Sequence, residues 1–205
     1  MNTPDPMPVR RGRLQMLALA ALFFVPLALA FWLYYGPHAW RPGGSASQGE
    51  LVDPPRPLPE FDLAVAGGSP ADAHWLRGKW TMLFFGDGSC DERCRKALYL
   101  TRQSRVALNR DADRVRRVFV TYGSAYDYDF VEREHPDLVV VMLGGQDGRD
   151  LLARFPVYGD GPPGTAGRIY LVDPLGNLMM SYSGRTPDKA LLNDLRRLLR
   201  LSHIG

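Results

Sequence analysis

The sequence of 205 residues predicts an α/β domain, a mixed β-sheet with helices on both faces, carried by one N-terminal transmembrane helix. Two observations predict the domain. Apolar runs typical of buried strands alternate with helical patterns, and a short turn separates a late pair of strands. A third observation, an uncharged apolar run near the start of the chain, predicts the transmembrane helix. The length allows one well-buried core rather than two.

The first predicted element is the apolar run from Leu14 to Tyr35, which contains no charged residue. As a helix, this run spans a bilayer core of roughly 30 Å. Arginines precede it, so the positive-inside rule places residues 1–13 in the cytoplasm and the chain after Tyr35 on the other side. A cleaved signal peptide is the alternative, because residues 28–30 read Ala-Leu-Ala. We favour an uncleaved anchor over residues 14–35, because the apolar run continues through "FWLYY".

The segment after the anchor, residues 36–60, is rich in proline, glycine and serine and has almost no periodic apolar pattern. Such a composition predicts an extended tether that holds a domain away from the membrane. The folded domain is therefore predicted to cover residues 61–205.

Within that domain, strands and helices are predicted to alternate. The predicted strands are "FDLAVA" from Phe61, "GKWTMLFFG" from Gly78, "VRRVFVTYG" from Val115, "DLVVVMLGG" from Asp137, and the hairpin of "RIYLVD" and "NLMMSYSG". The predicted helices are "CRKALYLTRQSRVALNR" from Cys94, "DFVEREHP", "DGRDLLARF", and "TPDKALLNDLRRLLRL". The last helix is predicted to begin with Thr186 as its cap and Pro187 at its first position.

Both cysteines of the chain, Cys90 and Cys94, follow the first buried strand. At the first turn of a helix, with Ser89 as the cap, unpaired backbone N–H groups would favour a thiolate, most of all at Cys90. Cys94 would then be the resolving partner. The spacing leaves three outcomes open: disulfide exchange, Cu(I) binding by two thiolates, or an oxidised staple that closes a very short loop.

The order strand, cysteine-bearing helix, strand, helix, hairpin, helix is that of a thioredoxin-like domain. The stretch "TMLFFGDGSCDERCRKAL" resembles the SCO/SenC family, in which Phe-Gly at a strand end runs into a Cys-x-x-x-Cys motif, here Phe85-Gly86 and Cys90/Cys94. "VYGDGPPGTAGRIYLVDPLGNLMMSY" is similar to the later segment of that family. The resemblance covers about Phe61 to Leu201. It implies a membrane-anchored, thioredoxin-like protein that delivers copper to cytochrome c oxidase or reduces its copper-site cysteines.

The sequence departs from the family pattern at two places. Asp91 and Arg95 stand where family members usually carry prolines, and Thr165 stands about where a copper-binding histidine is expected. The histidines that the chain does have are predicted to be surface residues: His38, His74, His135 and His203. The methionines of the strand patterns, at positions 82, 142 and 179 or 180, are predicted to lie in the core.

The predicted function is assistance in assembling the copper site of cytochrome c oxidase, by thiol–disulfide exchange through Cys90 and Cys94 in the periplasm of a bacterium. The partner would be the copper-site subunit of the oxidase or a copper chaperone. Alternatives are a Cu(I) carrier, with Cys90 and Cys94 as ligands, and a non-catalytic assembly scaffold. The formal net charge of +3 is small and interspersed, so no nucleic-acid partner is predicted.

Overall fold

The computed structural model describes residues 7–35, 47–60, 64–65, 76–122, 125–202 and 204. These residues fall into two compact units, one ending at Ala46 and one from Ser47 to Gly205. The first unit contains helix α1, Met7–Tyr35. Its segment Gly12–Leu33, with a mean hydropathy of 2.4, is long and apolar enough to cross a membrane.

In the second unit, the described residues form a seven-stranded mixed sheet. Its strands are β1 (Glu50–Pro57), β2 (Ala64–Val65), β3 (Trp80–Asp87), β4 (Val115–Tyr122), β5 (Leu138–Leu143), β6 (Ile169–Val172) and β7 (Asn177–Tyr182), in the spatial order β1-β7-β6-β3-β4-β5-β2. The central strands β3, β4 and β5 are parallel, whereas β6, β7, β1 and β2 pair antiparallel with their neighbours.

The sheet separates two hydrophobic cores, because side chains along a strand point alternately to opposite faces. In β3, Met82 and Phe84 belong to one core, and Leu83 and Phe85 belong to the other. The first core is covered by α2 (Glu92–Val106), α3 (Tyr128–Glu134) and α5 (Ala190–Leu201), and the second by α4 (Gly145–Ala153). The predicted mixed sheet with helices on both faces, the thioredoxin-like arrangement, is confirmed.

Strand β1 corrects the predicted tether. Residues 50–57 pair antiparallel with β7, Glu50 lying opposite Ser181, and Val52 and Leu58 are buried. This strand was not predicted because its sequence, "ELVDPPRP", is rich in proline. Proline cannot donate a hydrogen bond to a neighbouring strand, so within sheets it is confined to edge strands. Since β1 lies at an edge of the sheet, it tolerates these prolines. The domain therefore begins earlier than the predicted boundary at Phe61, and the remainder of the predicted tether, residues 36–46, lies outside the described residues.

The chain just before β1 is hydrogen-bonded to α5 through the buried carboxylate of Asp194. Its Oδ2 accepts hydrogen bonds from the backbone N–H groups of Gln48 and Gly49, both at 2.9 Å, and from the hydroxyl of Tyr182 at 3.1 Å. Burial, reinforced by this carboxylate, raises the pKa of Tyr182. Only glycine fits at position 49, because a Cβ there would lie 2.6 Å from the Tyr182 ring. The first described residues of the domain are thus part of its fold.

The start of α5 differs from the prediction. The helix begins at Ala190, preceded by a turn in which the Ala190 N–H donates to the carbonyl of Pro187. Thr186 does not cap it, because its Oγ1 accepts instead from the Ser183 N–H at 3.1 Å. The apolar face of α5 packs into the first core through Leu191, Leu195 and Leu199, which are buried.

A buried arginine joins β4 to α2 and to the turn after α3. Arg117 occupies a core-facing position of β4 and donates to Thr101 Oγ1 at 3.1 Å, to the Leu98 carbonyl at 2.8 Å and to Asp137 Oδ1 at 2.7 Å. Its Nη2 lies 3.1 Å from His135 Nδ1, which must accept because a guanidinium has no acceptor. The prediction of a surface position for His135 is wrong, since this side chain is buried.

His135 makes the stability of the domain dependent on pH. Burial, and then the Arg117 charge, lowers the pKa of His135 to about 4 from 6.5. The unfolded chain therefore binds a proton between these pH values that the folded chain excludes. We expect the free energy of unfolding to be unaffected by this group above about pH 6.5 and to fall by roughly 2–3 kcal/mol as the pH drops from 6.5 to 4.

Urea denaturation at a series of pH values tests this expectation, with His135→Asn as the comparison. Asparagine keeps an acceptor for Arg117 and cannot be protonated in this range. The difference in unfolding free energy between wild type and variant should shrink as the pH falls towards 4. A difference that does not change with pH would contradict the assignment.

Candidate functional site

The candidate site is built around a disulfide between Cys90 and Cys94. The central strand β3 ends at Asp87 and α2 begins at Glu92, so the bridge lies at the junction between the two elements. The two Cα atoms are 5.1 Å apart, and each residue is only 3% exposed. Disulfide exchange and an oxidised staple, two of the three outcomes that the spacing leaves open, both include this oxidised state.

The local geometry differs from the predicted one at the start of α2. The cap is Asp91, whose Oδ1 accepts from the Cys94 N–H at 2.9 Å. Ser89, the predicted cap, instead donates to Asp87 Oδ1 at 2.7 Å. Cys90 consequently lies outside the helix, with φ of +50°, and Cys94 lies in the first turn. The bridge therefore joins a loop to a helix rather than two positions on one helix face.

The two positions that depart from the family pattern next to the cysteines have defined roles. Asp91 provides the helix cap, and Arg95 donates through Nε to the carbonyl oxygen of Cys90 at 3.2 Å. A proline could replace neither side chain, because its ring carries no polar group. These two residues thus supply polar contacts to the disulfide loop that the family's prolines could not make.

A cavity of about 130 Å³ lies beside the disulfide. One side is formed by Cys94, Asp91 and Arg93, and the other by the loop that precedes β6, through Gly164, Thr165 and Gly167. Thr165, predicted to occupy the place of the family's histidine, does face the same cavity as Cys94. Its hydroxyl donates to the Pro162 carbonyl at 3.4 Å. Of the two cysteines, Cys94 lines this cavity and Cys90 does not.

The position of that loop depends on a close backbone approach. Gly164 packs against the hydroxyl of Tyr122 at the end of β4, and a Cβ at position 164 would collide with this oxygen. Burial raises the pKa of Tyr122 to about 12, so its hydroxyl keeps its proton at neutral pH. Glycine at position 164 is therefore required for the loop to lie next to the disulfide.

Arg168 fixes the other end of the loop. Its side chain is 6% exposed, and its Nε donates to both carboxylate oxygens of Asp160, at 2.9 and 2.7 Å. Its terminal nitrogens donate to Glu50 at 3.0 and 3.1 Å and to Ser181 Oγ at 2.9 Å. The guanidinium also stacks 3.8 Å from the centre of the Tyr158 ring. Burial by itself lowers the pKa of Arg168, but the hydrogen bonds and the charges of Glu50 and Asp160 together outweigh it, so the pKa is raised.

The contacts of Arg168 with Glu50 and Asp160 were not predicted from the sequence. Glu50 belongs to a segment predicted to be a tether, so its proximity to Arg168 depends on the unpredicted strand β1. The signal in the sequence is slight: Asp160 lies eight residues before Arg168, across a glycine-rich loop.

No group of three or more His, Cys, Asp and Glu side chains is placed to hold a metal ion within the described part of the chain. His135 contacts Arg117 in the core, and the other three histidines lie outside the described residues. Met82 and Met180 are buried, and Met179 packs against the same core. The predicted core placement of Met82 and Met180 is confirmed, whereas Met142, in β5, is only partly buried.

Comparison with known families matches both units of the chain. The family model described as "Transmembrane-like, thioredoxin-like, C-terminal domain" matches residues 80–202, and the one described as "Transmembrane-like, N-terminal domain" matches residues 6–37. The second match supports a membrane anchor in α1. No curated protein matches the sequence.

Several solved structures are similar to this chain over most of their length. Copper-bound ScoI of Arabidopsis thaliana has a TM-score of 0.60 and 19% identity, covering 71% of this chain and 99% of that one. Copper-bound Sco1 of yeast has a TM-score of 0.60 and 17% identity, covering 72% and 95%. Apo Sco1 of Thermus thermophilus has a TM-score of 0.61 and 18% identity, covering 76% and 99%. The predicted resemblance to SCO/SenC proteins is confirmed by these structural neighbours, and at such identities it shows a shared fold.

Proposed function

We propose, from the premise that this chain belongs to the family of transmembrane-like proteins with a thioredoxin-like C-terminal domain, that it is a membrane-anchored thiol–disulfide exchange protein. The observation that carries the proposal is the disulfide at the junction of β3 and α2, beside a cavity. A pair closing so short a loop removes little entropy from the unfolded chain, so stabilisation is a weak explanation for it.

The proposed cellular role is assistance to the assembly of the copper site of cytochrome c oxidase. It is supported by the shared fold with Sco proteins, which include the copper-bound proteins of Arabidopsis thaliana and yeast. Arginines before the apolar segment of α1 would keep the N-terminus in the cytoplasm, so the domain would work in the periplasm of a bacterium. A disulfide persists in that compartment.

The proposed reaction is the reduction of a disulfide on the partner, either the copper-site subunit or a copper chaperone. The thiolate of reduced Cys90 attacks one partner sulfur, which forms a mixed disulfide and releases the second partner sulfur as a thiolate. The Cys94 thiolate then attacks the Cys90 sulfur, restores the intramolecular bond and releases the first partner sulfur. Two electrons pass to the partner, and the two protons lost by Cys90 and Cys94 balance those taken up by the partner thiolates.

Trapping of the mixed disulfide tests this order of events. With Cys94→Ser, the intermediate cannot be resolved and should accumulate as a covalent complex with the copper-site subunit, visible on a non-reducing gel. Cys90→Ser should form none. Accumulation with Cys90→Ser alone would assign the attacking role to Cys94, which lines the cavity. Normal oxidase assembly in cells that carry both serine substitutions would reject the exchange function and leave a scaffold.

A second candidate function, a Cu(I) carrier, is favoured by one observation. Cys94 and Thr165 line the same cavity, and Thr165 occupies the place where the family resemblance expects a copper-binding histidine. Copper would be cargo on the two reduced thiolates, with a third ligand from the partner, because a threonine hydroxyl is a poor donor for a soft ion. Titration of the reduced protein with Cu(I) tests this function, which requires tight binding of one ion that depends on both cysteines.

A further inference from the structure

The backbone of Cys90 is held on both sides by charged side chains. Its φ of +50° is in the left-handed region, which residues other than glycine seldom adopt. Its N–H donates to Asp87 Oδ1 at 3.1 Å, and its carbonyl accepts from Arg95 Nε at 3.2 Å. Both contacts are made to backbone atoms of Cys90 and do not involve its sulfur.

Arg95 is itself fixed in place. Its Nη2 donates to Asp127 Oδ2 at 3.3 Å, and its guanidinium lies 4.1 Å from the centre of the Phe130 ring. Asp127 is in turn the cap of α3, accepting from the Phe130 N–H at 3.1 Å, and its own N–H donates to the Gly88 carbonyl at 2.9 Å. The disulfide loop is therefore tied to the start of α3 both directly and through Arg95.

We propose that Arg95 is a positioning residue for thiol–disulfide exchange, a role that rests on the function proposed above. When the disulfide is broken, Cys90 loses one of the contacts that hold it in the left-handed region. The Asp87 and Arg95 contacts keep the residue there, so the Cys90 sulfur stays within reach of Cys94. A dithiol held in this way closes more readily, because little backbone freedom is left to lose on closure.

The equilibrium with glutathione measures this effect without a protein partner. Two glutathione thiols reduce the Cys90–Cys94 disulfide, glutathione disulfide is released, and the two thiol protons pass to the cysteines. One S–S bond is broken and one is formed. In the reverse direction, the equilibrium constant reports how readily the dithiol closes.

Arg95→Met is expected to lower the equilibrium constant for closure by about three- to tenfold. It removes one of the two contacts that hold the backbone of Cys90, and full release of one residue corresponds to roughly tenfold. The full chain is equilibrated in detergent with mixtures of reduced and oxidised glutathione, the thiols are then alkylated, and the two states are counted by mass spectrometry. Circular dichroism and thermal melting establish that the variant is folded.

Lys96→Met is the matched control. It removes the same charge one residue away, from a side chain whose ion-pair partner is Asp188, at 3.8 Å in an exposed pair. Its equilibrium constant should stay within about twofold of the wild type, since exposed pairs contribute little. An equal shift in both variants would show that charge, rather than the position of Cys90, is responsible, and would overturn the proposal.

Asp127→Asn is a second variant that tests the positioning role of Arg95 if Arg95→Met does not fold. Asparagine keeps a side-chain cap for α3 and removes the charge that holds Arg95. A fall in the closure constant smaller than that predicted for Arg95→Met is expected. Values within about twofold of the wild type in every folded variant at positions 95 and 127 would overturn the proposal. They would leave the exchange function standing, because that function is judged by trapping with the partner.

Discussion

Arg168→Met is expected to lower the free energy of unfolding by about 3 kcal/mol, because removal of one member of a buried ion pair leaves its partners without compensation. The substitution deletes five hydrogen bonds, to Asp160, Glu50 and Ser181. The expected loss of unfolding free energy is at the low end for removal of one member of a buried ion pair. The side chains of Asp160 and Glu50 are 30% and 48% exposed, so water replaces part of their lost hydrogen bonding. Methionine retains an unbranched stem that packs in the same space.

Chemical denaturation followed by tryptophan fluorescence measures the loss. Arg185→Met provides the control, because Arg185 is an exposed arginine nearby and its replacement should change the unfolding free energy by less than about 0.5 kcal/mol. Similar values for the two variants would contradict the role of Arg168. Since Arg168 also fixes the loop that carries Thr165, its replacement should expose the disulfide to faster reduction by dithiothreitol.

Thr165→His is expected to raise the affinity of the reduced protein for Cu(I) by about a hundredfold, corresponding to roughly 3 kcal/mol of added ligand bonding. The physical reason is proximity. Position 165 faces the same cavity as Cys94, and an imidazole there would add a soft nitrogen donor to two thiolates. Competition with a coloured Cu(I) chelator, under anaerobic conditions, gives the affinity.

Two comparisons make this result specific. Thr165→Ala removes the hydroxyl without adding a ligand and should bind copper as the wild type does. Thr165→His combined with Cys94→Ser should lose the gain, because one thiolate is missing. If Thr165→His alone binds no better than the wild type, the loop does not lie beside the thiols in the reduced protein, and the copper-carrier function loses its support.

The cysteine site was predictable to the extent that it depends on short stretches of sequence. An apolar strand between glycines, followed at once by the chain's two cysteines, placed the pair at a strand–helix junction. The cap could not be assigned in the same way. Ser89 and Asp91 are both good caps by composition, and the choice depends on Asp87, which holds Ser89 in the loop.

Features that depend on contacts distant in sequence were not predictable. Arg117 stands in a strand with alternating apolar residues and looks like a solvent-facing position, yet it is buried because Asp137, His135 and Thr101 converge on it. Glu50 meets Arg168 across 118 positions. Neither arrangement leaves a periodic signature in the sequence, because each depends on how separate elements pack.

Strand β1 determines where the protein can be cut to obtain a soluble fragment. A fragment that starts at Phe61 lacks this strand and leaves Asp194 without the backbone donors of Gln48 and Gly49. It also leaves the outer edge of β7 open, a row of unpaired N–H and C=O groups on which further chains can assemble. Such a fragment is expected to self-associate, and measurements made on it would then describe aggregates rather than the folded domain. A fragment that begins before Ser47 retains its own edge strand, whose prolines discourage pairing with other molecules.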